Sequence, residues 1–375
     1  MFERTKRFCD TFLTLGLPGF DLAVYRDGEC ILRYMGGYSD LENKVPVQGN
    51  ERYNIYSTSK PITCTAGLQL CEKGLFSLDD KLSDYMPEFR DMTVITEKGV
   101  VPCEKPILIR HLFEMTAGFS YDTESPWLVK CREETSGKCP TRTFMTYLAK
   151  EPLLFTPGER WEYSLCHDVL AGLVEVVSGE KFEDYVKKNI FDVLGMKNST
   201  FMLPKEELAT VAEQYRFEGG APVNIGKEIV PYKCGTEFAS GGAGGISTVD
   251  DYIKFLEGLR TGKLLSPETL TLMATNRLTE TQTDAYWLKH AYGYGLGVRC
   301  AKDGSEFGWD GAAGAYSALD VKNGISIFLG SHLQLSPAQG PRLLLYRVIR
   351  AELFGEDFTP IKNDLKKLYE YDLTF

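Results

Sequence analysis

Histidine and tryptophan are scarce in this chain, with four of each among 375 residues. His111, His167, His290 and His332 stand far apart. They match neither H-E-x-x-H nor a Cys/His ligand spacing, so no metal centre and no metal cofactor is expected. No run of ~18 uncharged apolar residues is present to span a membrane. The start of the chain lacks the apolar core and small-residue cleavage site of a secretory leader. Lys and Arg number 42 against 52 Asp and Glu, for a net charge of −10. Nucleic-acid binding, which runs on clustered positive charge, is therefore excluded as a partner class. Ten cysteines occur without a single C-x-x-C. A chain this long buries a core without bridges, so reduced thiols in a cytoplasmic setting are the expectation. Cys131 and Cys139, in a polar stretch, are the one pair a loop could join.

Several catalytic signatures are missing as well. There is no G-x-S-x-G nucleophile elbow, no phosphate-binding P-loop, and no G-x-G-x-x-G between a strand and a helix. No internal repeat or low-complexity tract appears.

What is present begins with Phe2, Phe8, Phe12 and Leu13 spaced among charges, the pattern of a helix to about Leu15 with one face inward. Two strands follow, Phe20 to Tyr25 and Ile31 to Tyr34, joined by Arg26-Asp-Gly, a hairpin signal. A helix is predicted from Ser57 to Gly74, the glycine marking its stop. From Ser77 to about Leu203 helices and loops dominate, with Ile109 to Met115 and Val169 to Val177 the clearest. The last third returns to strands at Tyr294 to Arg299, Ala315 to Asp320 and Ile325 to Leu329. It also carries helices at Val249 to Leu259 and Pro341 to Phe354. Strands at both ends and helices between predict an α/β domain from residues 1–76 and 206–375 with a mainly helical insert, 77–205.

The chemistry sits at Ser57-Thr-Ser-Lys60, an S-x-x-K opening a predicted helix. Residues three apart share a helix face, so the Ser57 hydroxyl and the Lys60 amine meet. A serine needs a neighbour to take its proton before it attacks, and a helix N-terminus offers free N–H groups to an oxyanion. Pro61 falls in the first turn, where its missing N–H costs little. By itself the tetrapeptide also describes a capping serine followed by a surface lysine.

Its surroundings narrow the choice. Asn54-Ile-Tyr-Ser-Thr-Ser-Lys-Pro-Ile-Thr resembles the first motif of the serine β-lactamase and penicillin-binding protein superfamily. The nearest branch is the class C β-lactamases and the related family VIII carboxylesterases. Further segments resemble the same group in the same order: Ile109 to Gly118, Phe155-Thr-Pro-Gly-Glu-Arg-Trp-Glu-Tyr-Ser, Gly241 to Asp251, and Gly308-Trp-Asp-Gly-Ala-Ala-Gly. The resemblance covers about residues 15 to 350. It implies an α/β (α+β) fold of the β-lactamase/transpeptidase type: an antiparallel sheet flanked by helices, a mainly helical insert, and the active site in the cleft between them. It also implies that Tyr163 partners Ser57 and Lys60 as acid and base, and that the amides of Ser57 and Ala312 form the oxyanion hole beside Gly311. No cofactor is implied.

Two departures from the β-lactamase pattern shape the substrate expectation. Leu165 stands where those enzymes have the asparagine of Y-x-N, and Trp309 where they have the lysine of K-T-G. Loss of an amide and a cation favours an uncharged carboxylic ester, the small-molecule partner expected here. The alternatives are a β-lactamase or D-amino-acid peptidase on the same scaffold, and a non-catalytic binding protein. Neighbouring His167 and Asp168 point about 100° apart on a helix and cannot relay to one another; His167 is assigned to the surface or the margin of the site. Tyr121, Trp127, Trp287 and Tyr292 are expected to line a pocket. Nothing in the motifs sets the oligomeric state.

Overall fold

Asp27 (φ 50°) and Gly28 (φ 89°) both take left-handed backbone, the two-residue turn whose twist suits a hairpin. They join strands Gly19–Arg26 and Glu29–Asp40, as the Asp-Gly signal predicts. The computed structural model describes residues 1–227 and 234–369. Within them the first strand pairs with both its hairpin partner and Ile325–Ser331, a strand from the far end of the chain. The full sheet has eight strands, every pair antiparallel. Tyr292–Tyr294 forms one edge and Val45–Pro46 the other. The central strands are buried along most of their length, which is why they read as continuous apolar runs.

Helices cover both faces. On one, Glu3–Thr14 buries Phe8, Cys9 and Phe12 against Leu345–Phe354 and the sheet, forming a core with Leu22, Val24, Ile327 and Leu329. On the other, a larger continuous core runs from Ala23 and Phe328 through Ser59–Glu72 to Cys166–Ser178 and the helices around it. The helix Ser59–Glu72 is buried on every side from Ser59 to Leu68, so its mixed polar and apolar faces are not a surface pattern. Its hydroxyls are satisfied inside: Thr63 Oγ1 donates to Gly241 O at 2.7 Å and Thr65 Oγ1 to Pro61 O at 2.8 Å. Gly74 (φ 70°) ends it as expected.

Four sequence expectations are corrected here. The predicted strand Tyr294 to Arg299 is a hairpin, Tyr292–Tyr294 turning into Arg299–Ala301. Gly297 (φ 84°) lets it turn, and Gly295 N donates to Val298 O at 2.8 Å. The predicted final helix is broken into Gln339–Arg342 and Leu345–Phe354, and Thr359–Tyr369 follows it. His167 is fully buried, which removes the surface alternative and leaves the margin of the site. Cys131 lies in the helix Pro126–Glu134 and not in a loop, while Cys139 stands in the coil after it; both thiols are buried and free. Among the described residues no helix is long and apolar enough to cross a membrane, and no acidic, His or Cys cluster is arranged to hold a metal ion.

Candidate active site

Ser57 lies in a single 3₁₀ turn, Tyr56–Thr58, immediately before the buried helix Ser59–Glu72. It is the one residue between Tyr53 and Lys60 that is not buried, so it is the residue of this turn that the fold leaves partly exposed. The turn is pinned from behind. Thr58 N–H and Oγ1 both donate to Ile55 O, at 3.1 and 2.7 Å, and Tyr252 Oη donates to Thr58 O at 2.8 Å.

Two side chains converge on Ser57 Oγ: Tyr163 Oη at 2.6 Å and Lys60 Nζ at 3.2 Å. Lys60 is completely buried. Its ammonium donates to Gly242 O at 2.7 Å and lies 4.5 Å from the Tyr163 ring centre and 5.5 Å from that of Tyr121. Among the described residues it makes no salt bridge; its neighbours are a carbonyl, a hydroxyl and two π faces. The i, i+3 spacing brings Lys60 under Ser57 as the sequence implied.

The Gly242 carbonyl is itself held in place. Asp168, buried in the first turn of Cys166–Ser178, accepts from Ser240 Oγ at 2.6 Å and from Gly242 N at 3.2 Å. Burial pushes the Asp168 carboxyl above its usual range, opposed by the Ser240 bond and the Lys60 charge. Ser59 Oγ accepts from Gly245 N at 2.9 Å. The segment must be glycine-rich for steric reasons: a Cβ on Gly242 would sit 2.6 Å from Asp168 Oδ2, and one on Gly245 2.7 Å from Ser59 Oγ. The sequence revealed these glycines but not that Asp168 holds them. His167 does not reach Ser57. Its Nε2 faces Phe113 O (3.4 Å) and Cys64 Sγ (3.5 Å), and burial together with the Lys60 charge pushes it down to about 3, a neutral ring.

Opposite Ser57 runs Trp309-Asp310-Gly311-Ala312. Asp310 receives Arg299 Nη1 at 3.2 Å, and Arg299 Nη2 also holds Ser317 O at 2.8 Å from a fully buried position. Gly311 backs directly onto the nucleophile turn, where a Cβ would lie 2.5 Å from Ile55 O. The carbonyls of Gly311, Ala312 and Ala313 accept from Arg342, Gln339 and the Leu333 amide. Neither the Ser57 nor the Ala312 amide has a backbone acceptor among the described residues.

Aromatic rings wall the site. Tyr121 stacks on Tyr163 (5.2 Å, 3°), Trp287 meets it edge-on (5.1 Å) and Trp309 lies 6.0 Å away. Trp161, Tyr286 and Tyr294 continue the cluster. Trp287 is 54% exposed and Trp309 only 3%. Of the four aromatics expected to line a pocket, Tyr121 and Trp287 stand against the Tyr163 ring. Trp127 instead lies under Lys130 and Lys150, and Tyr292 packs on Arg299. Trp161 was overlooked, although it stands two residues before Tyr163 in the same motif. Leu165 is 3% exposed, part of the larger core at the start of its helix.

An antiparallel sheet with helices on both faces gives this chain the β-lactamase/transpeptidase-like fold, with a serine, a lysine and a tyrosine meeting at one hydroxyl. The family model described as Beta-lactamase matches residues 6–349, and the chain belongs to that family. Among its relatives, Esterase EstB of Burkholderia gladioli is 27% identical over 361 residues, covering 88% of this chain and 90% of its own. Acyltransferase CalJ of Penicillium decumbens is 28% identical over 321 residues, covering 81% and 72%. The solved structure of EstCE1, a hydrolase with promiscuous acyltransferase activity, superposes with a TM-score of 0.75 at 24% identity, covering 92% of this chain and 98% of that one.

Proposed function

We propose that the protein hydrolyses uncharged carboxylic esters through an acyl-enzyme on Ser57. The observation that carries the reading is the pair of hydrogen bonds on Ser57 Oγ, 2.6 Å from Tyr163 and 3.2 Å from Lys60. Each partner is within proton-transfer reach of the nucleophile. In the first half, Ser57 Oγ bonds to the ester carbonyl carbon while its proton passes to the Lys60–Tyr163 pair. The carbonyl π electrons move to oxygen, which the Ser57 and Ala312 amides stabilise. Collapse breaks the bond to the alcohol oxygen, which leaves with the stored proton. Water then repeats the sequence: it gives a proton to the pair, attacks the acyl carbon, and releases the acid as Ser57 regains its proton. Lys60 and Tyr163 act as one proton-sharing unit.

The aromatic wall, with Leu165 and Trp309 standing in place of an amide and a cation, favours an apolar acyl or alcohol group over an anionic, amide-bearing one. An acceptor alcohol entering in place of water would turn the same intermediate into acyl transfer, the activity named for the CalJ relative. The test is hydrolysis of p-nitrophenyl butyrate by wild type and Ser57→Ala, with nitrocefin run beside it. Ester turnover that vanishes in the variant, with little nitrocefin cleavage, is expected. Dominant nitrocefin cleavage would overturn the substrate assignment, and ester turnover surviving in Ser57→Ala would overturn the nucleophile.

A further inference from the structure

Tyr56, the residue immediately before the nucleophile, has φ 46°. A tyrosine in the left-handed region carries a backbone cost and persists only where its surroundings over-determine it. Those surroundings are specific. The Tyr56 side chain is fully buried and packs on Ala313 and Ala312, the segment assigned above to the oxyanion. Its hydroxyl donates to Gln214 Oε1 and accepts from Gln334 Nε2 at 2.6 Å. Gln214 lies on strand Gln214–Glu218 and Gln334 on Leu333–Gln334, which pair in parallel in a separate small sheet. The second strand also touches the oxyanion segment directly, through Leu333 N to Ala313 O at 2.9 Å. Gln334 is itself oriented by Arg216, whose guanidinium reaches its Oε1 at 3.3 and 3.4 Å. One side chain thus ties together the turn that aims Ser57, the turn that carries Ala312, and the small sheet behind both.

We propose that Tyr56 is a positioning residue: its buried hydroxyl, held between Gln214 and Gln334, keeps the left-handed turn that sets Ser57 against Ala312. The inference rests on the ester-hydrolase reading and adds to it a residue that the proton-transfer steps do not use. Tyr56→Phe keeps the ring and its packing and removes only the hydroxyl. In the full chain it should lower kcat on p-nitrophenyl butyrate roughly 10- to 100-fold, short of the ~10²–10³ that follows outright loss of an oxyanion donor. KM should stay within about twofold, because the loss falls on the transition state. Labelling of Ser57 by a fluorophosphonate probe should slow by a similar factor. Gln334→Met, which leaves Tyr56 intact, should reproduce the effect in part, and the double variant should lose little more than Tyr56→Phe alone. A Tyr56→Phe protein that melts earlier but keeps wild-type kcat and labelling rate would overturn the inference, as would strictly additive losses in the double variant. Should Tyr56→Phe not fold, an unchanged labelling rate in Gln334→Met overturns it equally. No labelling of wild type would sink the hydrolase reading and the inference together; rapid labelling of wild type and Tyr56→Phe alike would sink the inference alone.

Discussion

Replacing Gly311 with alanine tests the contact between the proposed oxyanion segment and the Ser57 turn more sharply than removing Lys60 or Tyr163, the proposed catalytic side chains. The added Cβ would lie 2.5 Å from Ile55 O and 3.0 Å from Ala315 Cβ, about 0.9 Å inside ordinary contact with the first. The Ile55 carbonyl cannot swing away, because it holds the Thr58 N–H and hydroxyl that shape the Ser57 turn. Retreat of that carbonyl moves the Ser57 amide; retreat of Gly311 moves the Ala312 amide. Either way the two donors lose their spacing, and loss of one such donor costs about 2.7–4 kcal/mol of transition-state stabilisation, or ~10²–10³ in rate. Overpacking adds about 1–3 kcal/mol of destabilisation. The expectation is therefore a kcat for p-nitrophenyl butyrate reduced about 10²-fold, a modest change in KM, and a Tm lower by a few degrees. Gly304→Ala is the control. Its φ is 71° but an added Cβ meets nothing within 4 Å, so it should cost about 1 kcal/mol of stability and leave kcat alone. Full activity per folded molecule in Gly311→Ala, with only its Tm reduced, would show that this contact does not set the site's geometry.

Asp168→Asn removes a buried charge but weakens the acceptor that holds Gly242, the carbonyl partner of Lys60; kcat should fall about 10-fold. Stability near neutral pH should change little, since burial disfavours the carboxylate it replaces. Severe unfolding with undiminished turnover per folded molecule would contradict that role. Trp287→Ala strips a half-exposed ring from beside Tyr163, so kcat/KM for butyrate or larger esters should drop about 10-fold, by loss of apolar contact, and that for acetate less. An equal loss for every ester would mean the ring does not contact the variable part of the substrate. His167 is held neutral, at about 3 against the usual 6.5. The unfolded chain takes up the proton that the fold refuses, so the associated stability is whole above about pH 6.5 and is lost as pH falls toward 3, with about 2 kcal/mol gone at pH 5. Urea unfolding of His167→Gln at neutral pH and near pH 5 should show a shallower acid dependence than wild type, and an unchanged slope would refute the assignment.

The sequence carried the local decisions because they depend on local chemistry. Asp27-Gly28 reads as a hairpin since both residues tolerate positive φ, and Gly74 as a helix stop for the same reason. Ser57 and Lys60 meet because a helix repeats every 3.6 residues. Tyr163, Trp309 and Gly311 were legible only through the order of motifs along the chain; no spacing rule places Tyr163 2.6 Å from a serine 106 residues away. Other features lay beyond local reading. The mixed pattern of Ser59–Glu72 looks half-exposed, yet the helix is buried on every side from Ser59 to Leu68, where Thr63 bonds the distant Gly241 carbonyl and Thr65 the Pro61 carbonyl of its own helix. His167 looked like a surface or margin residue because polarity normally marks exposure. Inside, it is a neutral ring, and Asp168 beside it anchors a glycine loop more than seventy residues on. The strain at Tyr56 leaves no trace in a one-dimensional pattern, since its partners, Gln214 and Gln334, come together only when the small sheet forms. Residue types and short spacings determined which groups could do the chemistry. The tertiary structure decided which of them meet, because distances between remote residues are set by packing and by the hydrogen-bond satisfaction of buried polar groups, neither of which is a local property of the chain.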